Sequence, residues 1–125
     1  MKINIKATGI ELTGAIRDYV SKRVSALSKF IRGDATAHVE VGKSTKHHKS
    51  GEVFRAEVHL SGAGVDTYAA SEEADLYAAI DNVKDEVATG LVREKGRKEA
   101  LYRRGARRIK DMVKGLNPFN FRRRR

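Results

Sequence analysis

The residues of this sequence with the most evident chemical potential are its cations, and they are concentrated at one end. Residues 1–90 hold 12 Lys/Arg against 13 Asp/Glu, whereas residues 91–125 hold 14 Lys/Arg against 3 Asp/Glu and finish in NPFNFRRRR. Such a cluster of positive charge binds polyanions, of which nucleic acid is the commonest. The asymmetry therefore predicts a near-neutral folded body that carries a basic arm.

Histidines and carboxylates offer other chemistry, but their spacing does not support it. His47 and His48 are adjacent, so on a strand they would point to opposite faces, and no cysteine or carboxylate completes a ligand set. His38 and His59 lie on other predicted strands. The acids of the second predicted helix fit a solvated surface, and there is no phosphate-binding loop or nucleophile elbow. We therefore expect no metal, no cofactor, no small-molecule substrate and no enzymatic activity.

Hydrophobic periodicity indicates the elements that must position the cations. Alternating apolar and polar residues predict three half-buried strands, with a shorter fourth strand at about 65–69. Two amphipathic helices are predicted, the first capped by Thr13 and ended by Gly33 and Asp34, the second beginning at Ser71. The three longer strands are MKINIKA, ATAHVEV and VFRAEVHL, and the first helix is TGAIRDYVSKRVSALSKFI.

The element order β-α-β-β-β-α predicts an α+β fold, a four-stranded sheet with two helices packed on one face. The first two strands should be parallel, the other pairs antiparallel, and the second sheet face solvated. Gly90, Gly96 and Gly105 predict that the chain after Leu91 is helical only in places over residues 91–114, with Gly115 ending the helix. Residues 116–125 are expected to be disordered in the free chain.

Cations on the first predicted helix could extend the basic surface. Lys22 and Lys29 fall opposite the apolar stripe, Arg23 lies at its edge and Arg32 in the last turn. Such a row would add affinity for phosphates without reading bases, although a solvated helix face explains it equally well. The aromatic residues of the extension could stack on unpaired bases or dock on the protein itself; they are Tyr102, Phe119 and Phe121.

Three blocks in order, KINIKATGIELTGAIRDYVSKRVSALSKF, VEVGKSTKHHKSGEVFRAEVHL and DLYAAIDNVKDEV, resemble the ribosome hibernation promoting factor family. The resemblance covers about residues 1–98, which implies a ribosome-binding α/β domain there and leaves residues 99–125 as a basic, arginine-rich extension. It implies a domain similar to a double-stranded RNA-binding domain, placed on the small ribosomal subunit where messenger and transfer RNA bind. Such a factor blocks translation and protects idle ribosomes. Family basic positions match Arg23 and Lys29 on the first helix, and Arg93 and Arg97 on the second.

The sequence departs from the family pattern at Ala26, Glu86 and Thr89, where basic residues are usual. We expect the basic extension to compensate by binding ribosomal RNA. The extension is too short for a further core, so no homodimerisation domain is expected. The predicted RNA-binding residues are Lys22, Arg23, Lys29, Arg32, Arg93, Lys95, Arg97, Lys98, Arg103, Arg104, Arg107, Arg108, Arg122, Arg123, Arg124 and Arg125.

Two alternatives come from other classes of protein. The first is a general RNA- or DNA-binding protein with a basic arm. The second is a membrane-surface protein with a cationic arm, which is disfavoured because the extension lacks a strong apolar face. The sequence has no cysteine, no signal-peptide pattern and no long apolar segment, so a cytoplasmic protein with ribosomal partners and no membrane partner is expected.

Overall fold

The strands predicted from alternating apolar residues form one four-stranded sheet in the computed structural model. The structure describes residues 1–44 and 51–116, and it describes side chains as far as residue 113. A second helix follows the last strand. The elements are β1 (Lys2–Thr8), α1 (Gly14–Ser25), a 3₁₀ turn (Ala26–Phe30), β2 (Thr36–Lys43), β3 (Phe54–Gly62), β4 (Val65–Glu73) and α2 (Leu76–Leu116).

The strands lie in the order β1-β2-β3-β4, with β1 and β2 parallel and the other neighbours antiparallel, as predicted. The register places apolar side chains in rows across one face; Ile5 lies beside Val39, and Val39 beside Val58. A shift of one residue would turn these side chains to solvent, so the pattern fixes the register. The α+β fold inferred from the sequence is confirmed.

Both helices contribute to one core against that sheet face. Val20 and Val24 of α1 and Val83 and Val87 of α2 are completely or almost completely buried, and Leu27 joins them from the 3₁₀ turn. Each such side chain stabilises the fold by about 1.5–3 kcal/mol relative to exposure. Capping of α1 is as predicted, since the backbone N–H of Ile16 donates to Thr13 Oγ1 at 3.2 Å.

The start of α2 was wrongly predicted at Ser71. That residue pairs with Ala56, because β4 continues to Glu73 and exchanges backbone hydrogen bonds with β3. The helix begins instead after Asp75, whose Oδ1 accepts from the N–H of Tyr77 at 3.3 Å. A long-range partner strand therefore outweighs the local preference of a serine and two glutamates for a helix start.

The first helix changes geometry before it ends. Its α-helical part stops at Ser25 and the chain continues as a 3₁₀ turn, in which Ile31 N–H donates to Ser28 O at 3.1 Å. A 3₁₀ helix has three residues per turn, whereas an α-helix has 3.6. Lys29 is therefore rotated about the helix axis by about 80° from the position that a continuous α-helix would give it. Its side chain is nevertheless exposed, as expected.

The glycines beyond Leu91 do not interrupt α2. Gly96 and Gly105 have open space around their α-carbons, and the helix passes through them and through Gly115 to Leu116. The expectation of helix only in places was wrong, because a helical glycine costs only about 1 kcal/mol relative to alanine. The chain divides into two units, Met1–Val92 and Arg93–Arg125.

Some expectations lie outside the described residues: the centre of the β2–β3 loop with His47 and His48, and the last nine residues of the sequence. Within the described ranges, no helix combines the length and apolarity needed to cross a bilayer.

Gly42 permits the close approach of β1 to β2. A β-carbon at this buried position would lie 2.1 Å from the carbonyl oxygen of Thr8, which is backbone and cannot rotate away. We expect Gly42→Ala to lower the free energy of unfolding by about 3 kcal/mol, measured by urea denaturation. Gly14→Ala is the control, since nothing lies within 4 Å of the added carbon; equal stability of the two variants would contradict this account.

Candidate nucleic-acid interface

The structure places the predicted RNA-binding cations at the surface. All twelve within the described residues have exposed side chains, and none contributes to the core. Arg122–Arg125 lie outside the described residues. The twelve are Lys22, Arg23, Lys29, Arg32, Arg93, Lys95, Arg97, Lys98, Arg103, Arg104, Arg107 and Arg108.

Three cations on α1 and in the residues directly after it are available to a ligand. Lys22, Lys29 and Arg32 make no ion pair with any residue in the described ranges. The ammonium of Lys29 lies 5.2 Å from the centroid of the Phe30 ring, which is itself partly exposed. An approaching phosphate would therefore meet these charges without first displacing a carboxylate.

Arg23 is held differently, in a cluster that joins α1 to α2. Its Nε lies 3.2 Å from Asp81 Oδ1, and its guanidinium carbon lies 5.1 Å from the centroid of the Tyr19 ring. The Tyr19 hydroxyl donates to both carboxylate oxygens of Asp81, at 2.7 and 2.8 Å. Tyr77 packs edge-on against Tyr19 with ring centroids 4.8 Å apart. The cluster restricts the arginine before any ligand arrives.

Electrostatics favour the protonated forms of both partners of Asp81. The hydrogen bond to Asp81, followed by desolvation, raises the pKa of Tyr19. Interaction with Tyr19, followed by the charge of Asp81, raises the pKa of Arg23. An arginine carries five N–H donors, and Asp81 engages the one at Nε. The half-exposed Arg23 thus remains cationic and keeps donors for a phosphate.

The part of α2 in the first unit has little positive charge. Lys84 pairs with Asp85 at 3.3 Å, and Glu86 is exposed nearby in the sequence. The three positions that depart from the family pattern, Ala26, Glu86 and Thr89, are all exposed. In this unit the positive side chains of the candidate interface therefore come from α1, from the 3₁₀ turn that follows it and from Arg32 just beyond that turn.

Sequence reasoning missed Tyr19 and Asp81 as members of the site. Tyr19 was assigned only to the apolar stripe of the first helix, and Asp81 only to a solvated surface. The spacing of four residues between Tyr19 and Arg23 indicates that they share a helix face. Nothing local indicates Asp81, because it lies 62 residues from Tyr19 in the chain.

In the described part of the second unit the cations are carried by α2. Arg97 Nη2 lies 2.7 Å from Glu94 Oε1, and Arg103 lies 4.0 Å from Glu99. The hydrogen bond from Arg97 lowers the pKa of Glu94. Exposed pairs of this kind contribute at most about 1 kcal/mol, so a phosphate can compete for their arginines.

The same helix segregates apolar from cationic residues. Over residues 101–113, five large apolar side chains fall within about 140° of the helix circumference, and five cations occupy the remainder. The expectation that the extension lacks a strong apolar face was wrong, because one uninterrupted helix brings these apolar residues to the same side. The apolar residues are Leu101, Tyr102, Ile109, Met112 and Val113; the cations are Arg103, Arg104, Arg107, Arg108 and Lys110.

The sheet face opposite the helices is polar, and many of its side chains form hydrogen bonds with one another. His59 Nε2 lies 2.6 Å from Asp66 Oδ1, and Tyr68 donates to Glu57 at 2.6 Å. His38 lies beside His59 with ring centroids 6.4 Å apart. No group of three or more potential metal ligands occurs among the residues that the structure describes.

Comparison with known proteins gives a family match across the sheet and its two helices. The family model described as Sigma 54 modulation protein / S30EA ribosomal protein matches residues 3–99. A ribosome hibernation promoting factor from Azotobacter vinelandii is 34% identical over 95 residues, which are 76% of this chain and 83% of that protein. One from Klebsiella oxytoca is 30% identical, over 76% of this chain and 94% of the relative.

A solved structure agrees with these sequence matches. The crystal structure of the Thermus thermophilus Protein Y N-terminal domain superposes with a TM-score of 0.65 at 34% identity. The match covers 74% of this chain and 98% of that one. Both the family model and this structure thus correspond to the α/β domain, and the family model ends at residue 99.

The Tyr19–Asp81 hydrogen bond can be tested by titration. In Asp81→Asn the charged acceptor is lost, so the pKa of Tyr19 should fall towards its ordinary value of about 10. The tyrosine ultraviolet difference spectrum follows this change against pH, with Tyr19→Phe identifying the affected phenol. Asp85→Asn removes the same charge one turn away and should have a smaller effect; equal effects would show that the hydrogen bond is not the cause.

Proposed function

The chain belongs to the Sigma 54 modulation protein / S30EA ribosomal protein family, and from this premise we propose that it is a ribosome hibernation factor. It binds the small ribosomal subunit at the sites of messenger and transfer RNA, blocks translation and protects idle ribosomes. The family comprises ribosome-associated factors rather than enzymes. The protein acts by occupying a site, in the cytoplasm where ribosomes work.

The family match over residues 3–99 is the observation that carries this proposal. It spans every strand and both helices of the first unit, so the similarity is to a complete domain rather than to a short motif. The names of the Azotobacter and Klebsiella relatives attribute ribosome hibernation to them. We transfer that role to this chain.

Cations of α1 and its 3₁₀ turn supply the first part of the interface. Lys22 and Lys29 are exposed and without an ion pair among the described residues, so they can neutralise ribosomal RNA phosphates and release counterions. Arg23 is already restrained by Asp81 and Tyr19, which reduces the side-chain entropy lost when it binds. Phosphate contacts of this kind fix position without reading bases.

The basic extension supplies the second part. Residues 99–125 carry ten Lys/Arg against two Asp/Glu, whereas α2 of the first unit presents Asp81, Asp85 and Glu86. The affinity that the acidic stretch of α2 does not provide is recovered by the extension on ribosomal RNA. Because the association is largely electrostatic, it should depend steeply on salt.

A general RNA- or DNA-binding protein is the second candidate. Most of the net positive charge lies beyond residue 98, and the family match ends at residue 99; charge alone binds any polyanion. The two functions differ in specificity. A hibernation factor prefers small ribosomal subunits over unrelated duplexes at equal salt, and a general binder does not.

Charge reversal on α1 tests the domain's contribution. Lys22→Glu with Lys29→Glu removes about two phosphate contacts, which should reduce the log–log salt slope by roughly 1.4–1.8 and weaken co-sedimentation with small subunits. The control is Lys2→Glu with Lys6→Glu, an identical change of charge on exposed residues of the opposite sheet face. Equal losses in both variants would mean that net charge, not the α1 surface, determines binding.

Removal of residues 99–125 tests the extension. The deletion takes away a net eight positive charges, while the last buried core residue among those that the structure describes is Leu91. We expect an almost unchanged melting temperature but a log–log salt slope smaller by roughly 3.5–4.5, if about five cations contact phosphate. A series of dissociation constants over salt measures this. An unchanged slope and affinity would show that the extension does not bind ribosomal RNA.

A further inference from the structure

Residues 101–113 of α2, here called the amphipathic segment, expose five large apolar side chains, of which only Tyr102 could contact RNA, by stacking on a base. Tyr102 is 78% exposed, Ile109 63% and Val113 60%, and Leu101 and Met112 are more than half exposed. Such a contiguous exposed apolar surface usually marks an interaction site. Phosphate contacts account for the five cations of the segment but for none of these five residues.

The arrangement of charge restricts what can cover this apolar face. At 100° per residue Arg108 and Lys110 lie next to the two edges of the apolar face, and a second copy of the segment would bring the same two cations to one short interface. Like charges across such an interface are destabilising. The face therefore requires a partner with an apolar surface to cover the apolar side chains and with anionic groups to meet the cations beside them.

We propose that the amphipathic segment binds the surface of an anionic lipid bilayer. The helix lies in the plane of the interface with Ile109 and Val113 among the acyl chains, while the flanking arginines contact lipid phosphates. Tyrosine is enriched at this depth, because its ring is apolar and its hydroxyl polar, and Tyr102 lies on the same face. The segment lies beyond the residues matched by the family model.

Lipid and ribosomal RNA would share the cations of the segment, although only lipid uses the apolar face. The proposal does not require the ribosomal function to be correct, since the attraction depends on the segment's own residues. It does imply competition: a single-stranded RNA polymer should displace the chain from vesicles, and raised salt should weaken both complexes.

Co-flotation of the full chain with vesicles tests the proposal. Binding to mixed phosphatidylcholine and phosphatidylglycerol vesicles should be at least about tenfold tighter than to phosphatidylcholine alone, because several cations contact anionic lipid. Absence of binding to the anionic vesicles would overturn the proposal and leave an acidic protein groove as the occupant of the face.

A variant that preserves charge separates lipid insertion from simple attraction. Ile109→Gln with Val113→Gln should weaken binding to anionic vesicles about tenfold or more, and leave affinity for the RNA polymer within about twofold. Glutamine is a better helix former than either residue, so loss of helix would not explain the result. Ala100→Gln, on the cationic side, is the control and should bind vesicles like the parent.

Circular dichroism of the three proteins verifies that the helix is retained. If the double variant kept full vesicle affinity, attraction by charge alone would explain the binding and the proposed insertion of the apolar face would be wrong. If it lost vesicle and RNA binding equally, the apolar residues would have no specific role with lipid, and the proposal would also fail.

Discussion

Burial of a single sheet face under two helices is the constraint on which the first unit depends. Leu27, Leu60, Ile80 and Val58 are completely or almost completely buried in one cluster, to which the sheet and both helices contribute. At about 25 cal/mol per Å² of apolar surface, this burial is the main favourable term in folding. It directs every apolar stripe inward, so the cations of α1 must face away from the sheet. The basic surface is a consequence of the core's geometry.

The same packing creates the cluster around Arg23. Because α1 and α2 lie against one sheet face, Tyr19 and Asp81 come within hydrogen-bond distance although they are far apart in the chain. Asp81 is at once a contact between the helices and a counter-ion for Arg23. The Asp81 carboxylate reduces the positive potential around Arg23, which lowers its attraction for a phosphate. The same carboxylate fixes the direction of the Arg23 guanidinium, which favours one orientation of that phosphate.

Local sequence patterns were sufficient to predict most of the secondary structure of the first unit. Alternation of period two gave the strands and their buried face, and Thr13 gave the start of α1, because each signal involves neighbouring residues. The failures share a physical cause. Ser71 belongs to a strand because Ala56 lies opposite it, and Asp81 belongs to the candidate site because Tyr19 packs nearby. Such partners are set by the tertiary fold, which no local window contains.

Continuity of α2 changes the chemistry of the extension. Glycines at 96 and 105 suggested separate helical pieces, and in separate pieces the apolar residues would not share a face. An uninterrupted helix aligns Tyr102 with Ile109, two turns further on, and places the arginines opposite them. Charge alone attracts any polyanion, whereas charge beside an apolar face distinguishes a lipid surface from RNA. Helical order, and not only the number of arginines, therefore decides whether the extension presents an apolar face beside its positive charge.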